Sequence, residues 1–170
     1  MLIRRERLSD HQQSRAVQVA AFASSEGAEP VEAGLLDRLR IDGWLPALSW
    51  VAELDGEVVG HGLCTRAHVG SAPAVGLGPI GVRPDHQRSG VGSALVHAMV
   101  GAADATGEPL IALLGNPDYY GRFGFGPASE VGIEPPDPAW GRFFQVLTLS
   151  TWKPEVVGRF RYAAPFDDVD

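Results

Sequence analysis

Two glycines, Gly90 and Gly92, stand where a strand-like run over residues 75–82 gives way to a helical pattern. Glycine has no Cβ atom, so it lets backbone N–H groups crowd around an anion. The first N–H groups of a helix are unpaired and carry the positive end of its dipole. Positive charge nearby comes from Arg83, His86 and Arg88. The pattern predicts a turn that binds phosphate or pyrophosphate; the alternative is a tight loop that merely enters a helix.

Two other nucleotide-binding glycine motifs do not fit this turn. A P-loop needs a lysine after its second glycine, where this chain has Val91 or Ser93. The dinucleotide fingerprint needs a third glycine, and Leu95 occupies that position. A hairpin, and not a parallel βαβ unit, leads into the segment. The sequence therefore argues against ATP and NAD.

Strands and helices mix along the chain without strict alternation. Strands at 49–54 and 57–66 are joined by Asp55-Gly56, a strong hairpin signal. Apolar residues at i, i+3, i+4 spacing predict a helix over 90–106, and a compact strand follows at 110–114. The other expected elements are a strand at 2–7, a helix from an S-x-x-Q capping box at 9–12 to residue 23, a helix with Val31, Leu35 and Leu39 on one face, a short helix at 118–123, and strands at 143–149 and 158–162.

The composition is that of a globular protein. The chain has 170 residues, of which 45% are hydrophobic and 21% charged, which predicts one domain. Its net charge of -7 argues against nucleic-acid binding and mildly favours cationic partners such as amines. Cys64 is the single cysteine, so an intrachain disulfide is excluded and a reducing compartment fits. No run reaches the roughly 18 apolar residues of a membrane span, and no signal peptide is visible, so we expect a cytoplasmic protein away from membranes.

Three motifs in order resemble the GCN5-related N-acetyltransferase (GNAT) family. The segment Gln87-Arg88-Ser89-Gly90-Val91-Gly92 matches the family's Q/R-x-x-G-x-G/A. The hairpin VAELDGEVVGHG resembles its second and third strands, and Tyr120 followed by Gly124-Phe125 is similar to its Y-x-x-x-G-F signature. The run GNPDYYGRFGFGPA resembles one branch of small bacterial acetyltransferases. The resemblance covers residues 50–125 best.

The resemblance implies acetyl-CoA as cosubstrate and assigns roles to residues. The pantetheine arm would run along the fourth strand at Ile80, Gly81 and Val82. The pyrophosphate would rest on backbone N–H groups of Arg88, Ser89, Gly90, Val91, Gly92 and Ser93, and Asn116 occupies a position that often contacts the cofactor. Pro79 lacks an N–H, which predicts a bulge at Gly78-Pro79 that splays this strand from the next; an edge strand is the alternative.

Tyr120 matches the family position that protonates the departing sulfur. A thiol has a pKa of about 8.5 and a phenol about 10, so full proton transfer is uphill by about 2 kcal/mol. We therefore expect Tyr120 to stabilise the thiolate by a hydrogen bond more than by complete protonation. The alternative is a tyrosine that only packs beside Tyr119.

The general base is not visible in the sequence. A lysine-type amine is neutral only about once in a few thousand molecules at neutral pH, so a proton must be removed. Residues 68–84 contain no carboxylate. The candidates are ordered water, His68, Glu26 and Glu29. Cys64 is interpreted as a buried strand residue and not an acyl-carrying nucleophile, and His11, His61 and His97 show no metal-binding spacing, so no metal is expected.

These observations predict an α/β fold, a single domain over 1–170 with 127–170 as its C-terminal extension, built on a bent mixed β-sheet flanked by helices. The expected function is transfer of an acetyl group from acetyl-CoA to a primary amine of a small-molecule or protein acceptor, by direct attack in a ternary complex. Backbone donors of the fourth strand would hold the carbonyl oxygen. The alternatives are a non-catalytic acyl-CoA binding module and a transferase for another acyl group or a hydroxyl acceptor. The acceptor would be set by the first two helices, their loop and the Pro-rich residues 134–139; the oligomeric state stays open, a homodimer included.

Overall fold

The centre of the computed structural model, which describes residues 1–23 and 27–168, is a mixed sheet. Its strands run in the order β1-β2-β3-β4-β5-β8-β6, and β9 pairs with both β3 and β7. The strands are β1 Leu2–Arg5, β2 Trp50–Leu54, β3 Glu57–Val69, β4 Ala72–Val82, β5 Leu110–Leu114, β6 Gly126–Pro127, β7 Ile133–Glu134, β8 Phe144–Thr148 and β9 Gly158–Arg161. The α-helices are α1 His11–Phe22, α2 Val31–Ile41, α3 Val91–Ala105 and α4 Pro117–Tyr120. Within the described residues, no helix is long and apolar enough to cross a membrane.

The structure confirms the α/β fold and most of the expected elements. The Asp55-Gly56 turn joins β2 to β3, with left-handed φ angles of 52° and 85°. Both β3 and β4 are longer than predicted, because their pairing continues to Val69 and Ala72. The two-residue strands β6 and β7 were not predicted, since they are too short to show an alternating pattern.

Two details of the first helices differ from the prediction. Ser9 does not cap α1; Asp10 precedes the helix, and its carboxylate accepts hydrogen bonds from Arg4, at 2.6 and 3.0 Å, and from the backbone N–H of Arg7 at 2.8 Å. The ion pair between Arg4 and Asp10 therefore stands in place of the expected Ser9 cap. Val31 begins α2 and remains 46% exposed, so it does not belong to the buried face. That face consists of Ala33, Leu35, Leu36 and Leu39.

The helices cover opposite faces of the sheet. A Cβ atom on Gly60 would lie 2.7 Å from Val91, and one on Gly62 would lie 2.8 Å from Met99, so these glycines let α3 approach β3 closely. Side chains alternate along a strand, so the neighbouring positions face the other way. There His61 contacts Gln18 of α1, and Leu63 packs with the buried leucines of α2. The start of α3 is thus fixed beside β3.

A bulge interrupts β4 at the predicted place. Gly62 pairs with Ile80 but Cys64 pairs with Leu77, so β4 carries one extra residue opposite β3. The parallel pairing of β4 with β5 consists of two pairs, Val75 with Ile111 and Gly76 with Ala112. Beyond Gly76 the two strands separate. Among the described residues, no strand pairs with the outer edge of residues 77–82, which confirms the expected splay of a central strand.

A buried carboxylate links β1, α2 and β3. The side chain of Glu6 is 0% exposed; Arg40 donates to its Oε1 at 2.5 Å and the Ser49 hydroxyl to its Oε2 at 2.6 Å. His61 Nε2 lies 3.3 Å from the same Oε1. Burial opposes the charge of Glu6, but its interactions with the neighbouring His61 ring and the Ser49 hydroxyl hold its pKa far below the usual range. Glu6 is therefore ionised in the folded protein.

Replacing Glu6 tests how much this network contributes. Glu6→Gln should lower the free energy of unfolding by about 3 kcal/mol in urea denaturation at neutral pH, because it leaves the Arg40 charge buried without its partner. Asp37→Asn is the control: Asp37 pairs with Arg15 at 2.8 Å but is 49% exposed, so its loss should cost about 1 kcal/mol or less.

The same comparison has a defined pH dependence. Folding lowers the pKa of Glu6, so its ionised form stabilises the protein above the ordinary carboxyl pKa of about 4.3 and stops doing so as the pH falls toward the folded value. The deficit of Glu6→Gln should accordingly shrink at acid pH. Equal costs for the two variants at neutral pH would contradict a stabilising role for the network.

Candidate active site

The turn before α3 has the backbone of an anion-binding nest. Arg88 and Gly90 both have left-handed φ angles, 60° and 90°, and no side chain caps the helix. The N–H of Ala94 makes the first helical hydrogen bond, to the Gly90 carbonyl at 3.0 Å. The N–H groups of Val91, Gly92 and Ser93 precede it and so have no helical acceptor. Left-handed residues next to free N–H groups form a concavity that suits phosphate.

A cavity of about 560 Å³ opens on this turn. Five of the predicted cofactor residues line it: Val82, Arg88, Gly90, Gly92 and Ser93. Ser89 and Val91 belong to the same turn but are otherwise engaged. The Ser89 hydroxyl donates to the His86 carbonyl at 2.5 Å, and the Val91 side chain is buried against β3. Ile80 and Gly81 lie farther along the unpaired edge of β4.

Tyr119 and Arg122 also line this cavity, and the sequence reasoning missed both. A Cβ on Gly92 would lie 2.8 Å from the Tyr119 hydroxyl oxygen, so only glycine leaves that oxygen in place. The Arg122 guanidinium stacks over the Tyr119 ring at 4.1 Å and donates to the Tyr119 carbonyl at 2.8 Å. The sequence does show a cation, Arg122, two residues after Tyr120. It does not show that α4 packs on the start of α3, which brings Arg122 to the turn.

The side chains that bring positive charge to the cavity differ from those expected. Arg83 lies 3.4 Å from Glu57 and 3.5 Å from Asp85, and His86 lies 3.5 Å from Asp85. Neither residue lines the cavity. The cations that do so are Arg88 and Arg122. Two of the three side chains that the sequence suggested thus lie beside acidic residues of the loop and hairpin.

Tyr120 packs at the end of β5. Its ring makes aromatic contacts with Tyr119, Phe123 and Phe125, and its approach leaves no room for a Cβ at Gly115. Burial, with a smaller effect of Tyr119, raises the pKa of Tyr120 to about 12. The hydroxyl therefore stays protonated at neutral pH and can donate a hydrogen bond.

Asn116 acts as the N-cap of α4. Its side-chain oxygen accepts from the backbone N–H of Asp118 at 3.0 Å. Its amide nitrogen makes no hydrogen bond within the described residues. This cap places Tyr119 and Tyr120 directly after β5, so Asn116 has a clear structural role whether or not it contacts a cofactor.

The structure places two of the three side chains that were candidates for the general base. Glu26 lies outside the described residues, and Glu29 is paired with Arg15 at 2.8 Å. His68 lies opposite Pro73, five positions before Gly78 on β4, which is about 16 Å along a strand. That separation is too long for a direct proton transfer between the bulge and His68.

Two further groups are structural. Cys64 is 0% exposed, and burial raises the pKa of its thiol far above the usual range, so it is not a nucleophile. His61 belongs to the buried Glu6 network. Over residues 1–23 and 27–168, no group of three or more His, Cys, Asp or Glu side chains could hold a metal ion.

A larger cavity, of about 970 Å³, lies on the face of the sheet opposite α3. It includes Leu114, at the end of β5, and Tyr162, whose ring would lie 2.8 Å from a Cβ on Gly76. Gly76 is the last β4 residue paired with β5. The cavity therefore approaches the splayed strands from one face while the α3 turn approaches them from the other.

A bent α/β sheet split beside the start of a helix defines the fold of an acyl-CoA N-acyltransferase. The model of the acetyltransferase (GNAT) family matches residues 16–125, and the chain belongs to this family of N-acetyltransferases. The uncharacterized N-acetyltransferase YjhQ of Escherichia coli (strain K12) is 35% identical over 135 residues, which cover 76% of this chain and 72% of YjhQ.

Two solved structures extend the similarity to the whole chain. The GNAT family N-acetyltransferase YhbS from Escherichia coli, in complex with CoA, superposes with a TM-score of 0.88 at 29% identity, over 99% of this chain and 93% of YhbS. A GNAT family acetyltransferase from Brucella melitensis, in complex with acetyl-CoA, gives a TM-score of 0.77 at 33% identity, over 98% and 97% of the two chains. The expected family and fold are thus confirmed.

The contact between Gly92 and Tyr119 can be tested without any ligand. Gly92→Ala should be less stable than Gly101→Ala by about 1 kcal/mol in urea denaturation. Both changes gain helix propensity in α3, but only the first brings a methyl group to within 2.8 Å of a neighbouring atom, whereas position 101 is open. Adding Tyr119→Phe to Gly92→Ala removes the hydroxyl oxygen that the new methyl group would meet. The double variant should therefore regain the stability that Gly92→Ala loses relative to Gly101→Ala. Equal stabilities of the two alanine variants would show that Tyr119 does not lie against Gly92.

Proposed function

We propose that the protein transfers the acetyl group of acetyl-CoA to a primary amine, by direct attack in a ternary complex. The observation that carries this proposal is the end of β4–β5 pairing after Gly76, immediately beside an uncapped helix start. An unpaired strand edge and an anion-binding turn follow each other along one chain segment. Together they suit a ligand with an amide-containing arm and a pyrophosphate.

The residues present fit that ligand. The N–H groups of Val91, Gly92 and Ser93, with the guanidinium groups of Arg88 and Arg122, would hold the pyrophosphate. The outer edge of residues 77–82 offers backbone N–H and C=O groups to the pantetheine amides, as an added strand does. This arrangement would place the thioester near the bulge at Gly78-Pro79.

The reaction requires three things of the protein. The amine nitrogen must meet the carbonyl carbon, so that a C–N bond forms as the C–S bond breaks. The developing charge on the carbonyl oxygen needs donors, which free N–H groups of β4 supply. The nitrogen must also lose a proton, which we assign to ordered water because neither His68 nor Glu29 is well placed.

Tyr120 would stabilise the departing sulfur. With a pKa of about 12 against about 8.5 for a thiol, complete transfer of its proton is uphill by about 5 kcal/mol. A hydrogen bond from the protonated hydroxyl to the thiolate is therefore the better description, and the thiolate takes its final proton from solvent. Burial of the Tyr120 ring strengthens this role, since a hydrogen bond to a charged group gains strength away from water.

Two cavities on opposite faces support the ternary complex. The smaller one, at the α3 turn, would hold the phosphate end of the donor, and the larger one opens toward the splayed strands from the other face. Donor and acceptor could then be bound together. Direct attack needs no acyl-enzyme, which agrees with the buried state of Cys64.

Acetyl-CoA binding is the first test. At 100 times its dissociation constant the ligand should add about 2.7 kcal/mol to the stability, seen as a rise of the melting temperature. Gly92→Asp should abolish this rise and the binding heat in calorimetry, because it places an anion among the phosphate donors. Gly101→Asp adds the same charge to an open position of α3 and should leave the affinity nearly unchanged. A shift with ATP or NAD but none with acetyl-CoA would refute the proposed cosubstrate.

Tyr120→Phe separates a catalyst from a binding module. It keeps the ring and most of its packing but removes the hydroxyl, so kcat should fall roughly ten- to a thousandfold while acetyl-CoA affinity barely changes. Because the pKa of Tyr120 is about 12, the hydroxyl does not titrate between pH 6 and 10 in this expectation, and both proteins should show pH–rate profiles of the same shape.

The matched control is Tyr119→Phe, which removes a hydroxyl from the phosphate turn. Its effect should fall on acetyl-CoA affinity and not on kcat. Equal kcat for wild type and Tyr120→Phe would remove Tyr120 from the mechanism. Absent turnover of a broad amine panel by wild-type protein that binds acetyl-CoA would favour the binding module.

A further inference from the structure

The larger cavity carries information on the body of the acceptor. It lies between the start of α2, residues 136–140 and the chain from β9 to residue 167. Its volume of about 970 Å³ is at the upper end of small-molecule sites, which hold roughly 300–1,000 Å³. An amine such as ethylamine would fill only a small part of it.

Aromatic side chains form much of the wall. Trp140, Tyr162 and Phe166 line the cavity, and Phe160, which is 0% exposed, supports the Tyr162 ring from behind. The Tyr162 ring contacts the other three, with ring centroids 4.7–6.4 Å apart. Val31 and Leu114 line it as well, although they are 46% and 48% exposed. Large apolar side chains left exposed around a concave site indicate that an apolar ligand covers them.

Neutral hydrogen-bonding groups are scarce on this wall. The described lining residues include no Ser, Thr, Asn or Gln; the Tyr162 hydroxyl, the Trp140 indole N–H and the His68 imidazole are what remains. A polyhydroxylated acceptor such as an amino sugar would lose its hydrogen bonds to water and find few replacements. Its binding would therefore be weak.

The charged side chains of the wall are of both signs and nearly balance. Arg159 and Arg161 line the cavity together with Glu32, Asp137 and Asp167. Each arginine donates to a backbone carbonyl, Arg159 to Pro136 and Arg161 to Gly70, and neither forms an ion pair within the described residues. The two guanidinium groups offset most of the charge of the three carboxylates, so the wall offers little net attraction to the additional ammonium groups of a polyamine, whereas one ammonium group can be met by a carboxylate of the rim.

We propose, granted the function proposed above, that the acceptor is a small molecule with one primary amine on an aromatic or similarly bulky apolar body. The body binds among Trp140, Tyr162 and Phe166. The amine extends past Leu114 toward the thioester. Contact between the apolar body of the acceptor and the aromatic wall supplies the affinity, and the amine is the group that is acetylated.

A panel of amines, compared at equal concentrations of the unprotonated amine, tests the preference. The acceptors are 2-phenylethylamine, ethylamine, spermidine, glucosamine and a lysine-containing peptide, with kcat/KM measured by thiol release from acetyl-CoA. Burial of the phenyl ring should raise kcat/KM for 2-phenylethylamine over that for ethylamine by roughly ten- to a hundredfold. A higher value for spermidine, glucosamine or the peptide would overturn the inference.

Two tryptophan variants locate the preference. Trp140→Ala should reduce the ratio between 2-phenylethylamine and ethylamine to within about threefold, because it removes one wall of the cavity. Trp152→Ala removes the same side chain from the same hydrophobic cluster, but Trp152 does not line the cavity, so the ratio should stay as in wild type. An unchanged ratio in Trp140→Ala would place the acceptor elsewhere.

A binding experiment distinguishes failure of this inference from failure of the proposed function. Saturation-transfer NMR with 2-phenylethylamine and the CoA-bound protein needs no turnover. Binding that Trp140→Ala abolishes and Trp152→Ala retains would support the aromatic site even if no amine were acetylated. Turnover of other amines without any binding of 2-phenylethylamine would uphold the function and refute this inference.

Discussion

The constraint on which the site depends is the early end of pairing between β4 and β5. Two registered pairs hold the strands together, and the extra residue at the β4 bulge then turns the strand away. Without that separation the edge of residues 77–82 would be satisfied by β5, and no backbone groups would remain for a ligand. Gly60 and Gly62 add the second condition, since they bring α3 close enough to set its free N–H groups beside that edge.

The predictions that succeeded rest on local chemistry. The left-handed turn at Asp55-Gly56, the glycine turn before α3 and the bulge at Pro79 each follow from what a few adjacent residues can adopt. The failures involve partners that lie on different elements of the structure. Asp10 pairs with Arg4 across the first turn, Arg83 reaches Glu57 on the hairpin, and α4 brings Tyr119 onto Gly92. Only the three-dimensional fold creates those contacts, so one sequence could not reveal them.

The larger cavity illustrates the same limit. Its walls come mostly from α2 and from segments beyond residue 135, none of which carries a motif, with His68 and Leu114 added from the sheet. The sequence identified the first two helices and the Pro-rich stretch as the region that would set the acceptor. It could not show that aromatic residues after residue 158 join them, because β9 reaches β3 by a pairing between residues more than 90 positions apart. The cofactor turn is encoded locally, whereas the acceptor side is assembled from distant parts.

The buried thiol of Cys64 gives this enzyme an internal reporter. Cys64 is the chain's single cysteine, and it lies on β3 beside the bulged part of β4, fully shielded and held as the unreactive thiol. A thiol-reactive dye can modify it only when these two strands part, so the labelling rate under native conditions measures how often the core of the sheet opens. A ligand that adds a strand to β4 should slow that labelling. The opening of the centre of the sheet can thus be measured by labelling one side chain, without changing any other residue.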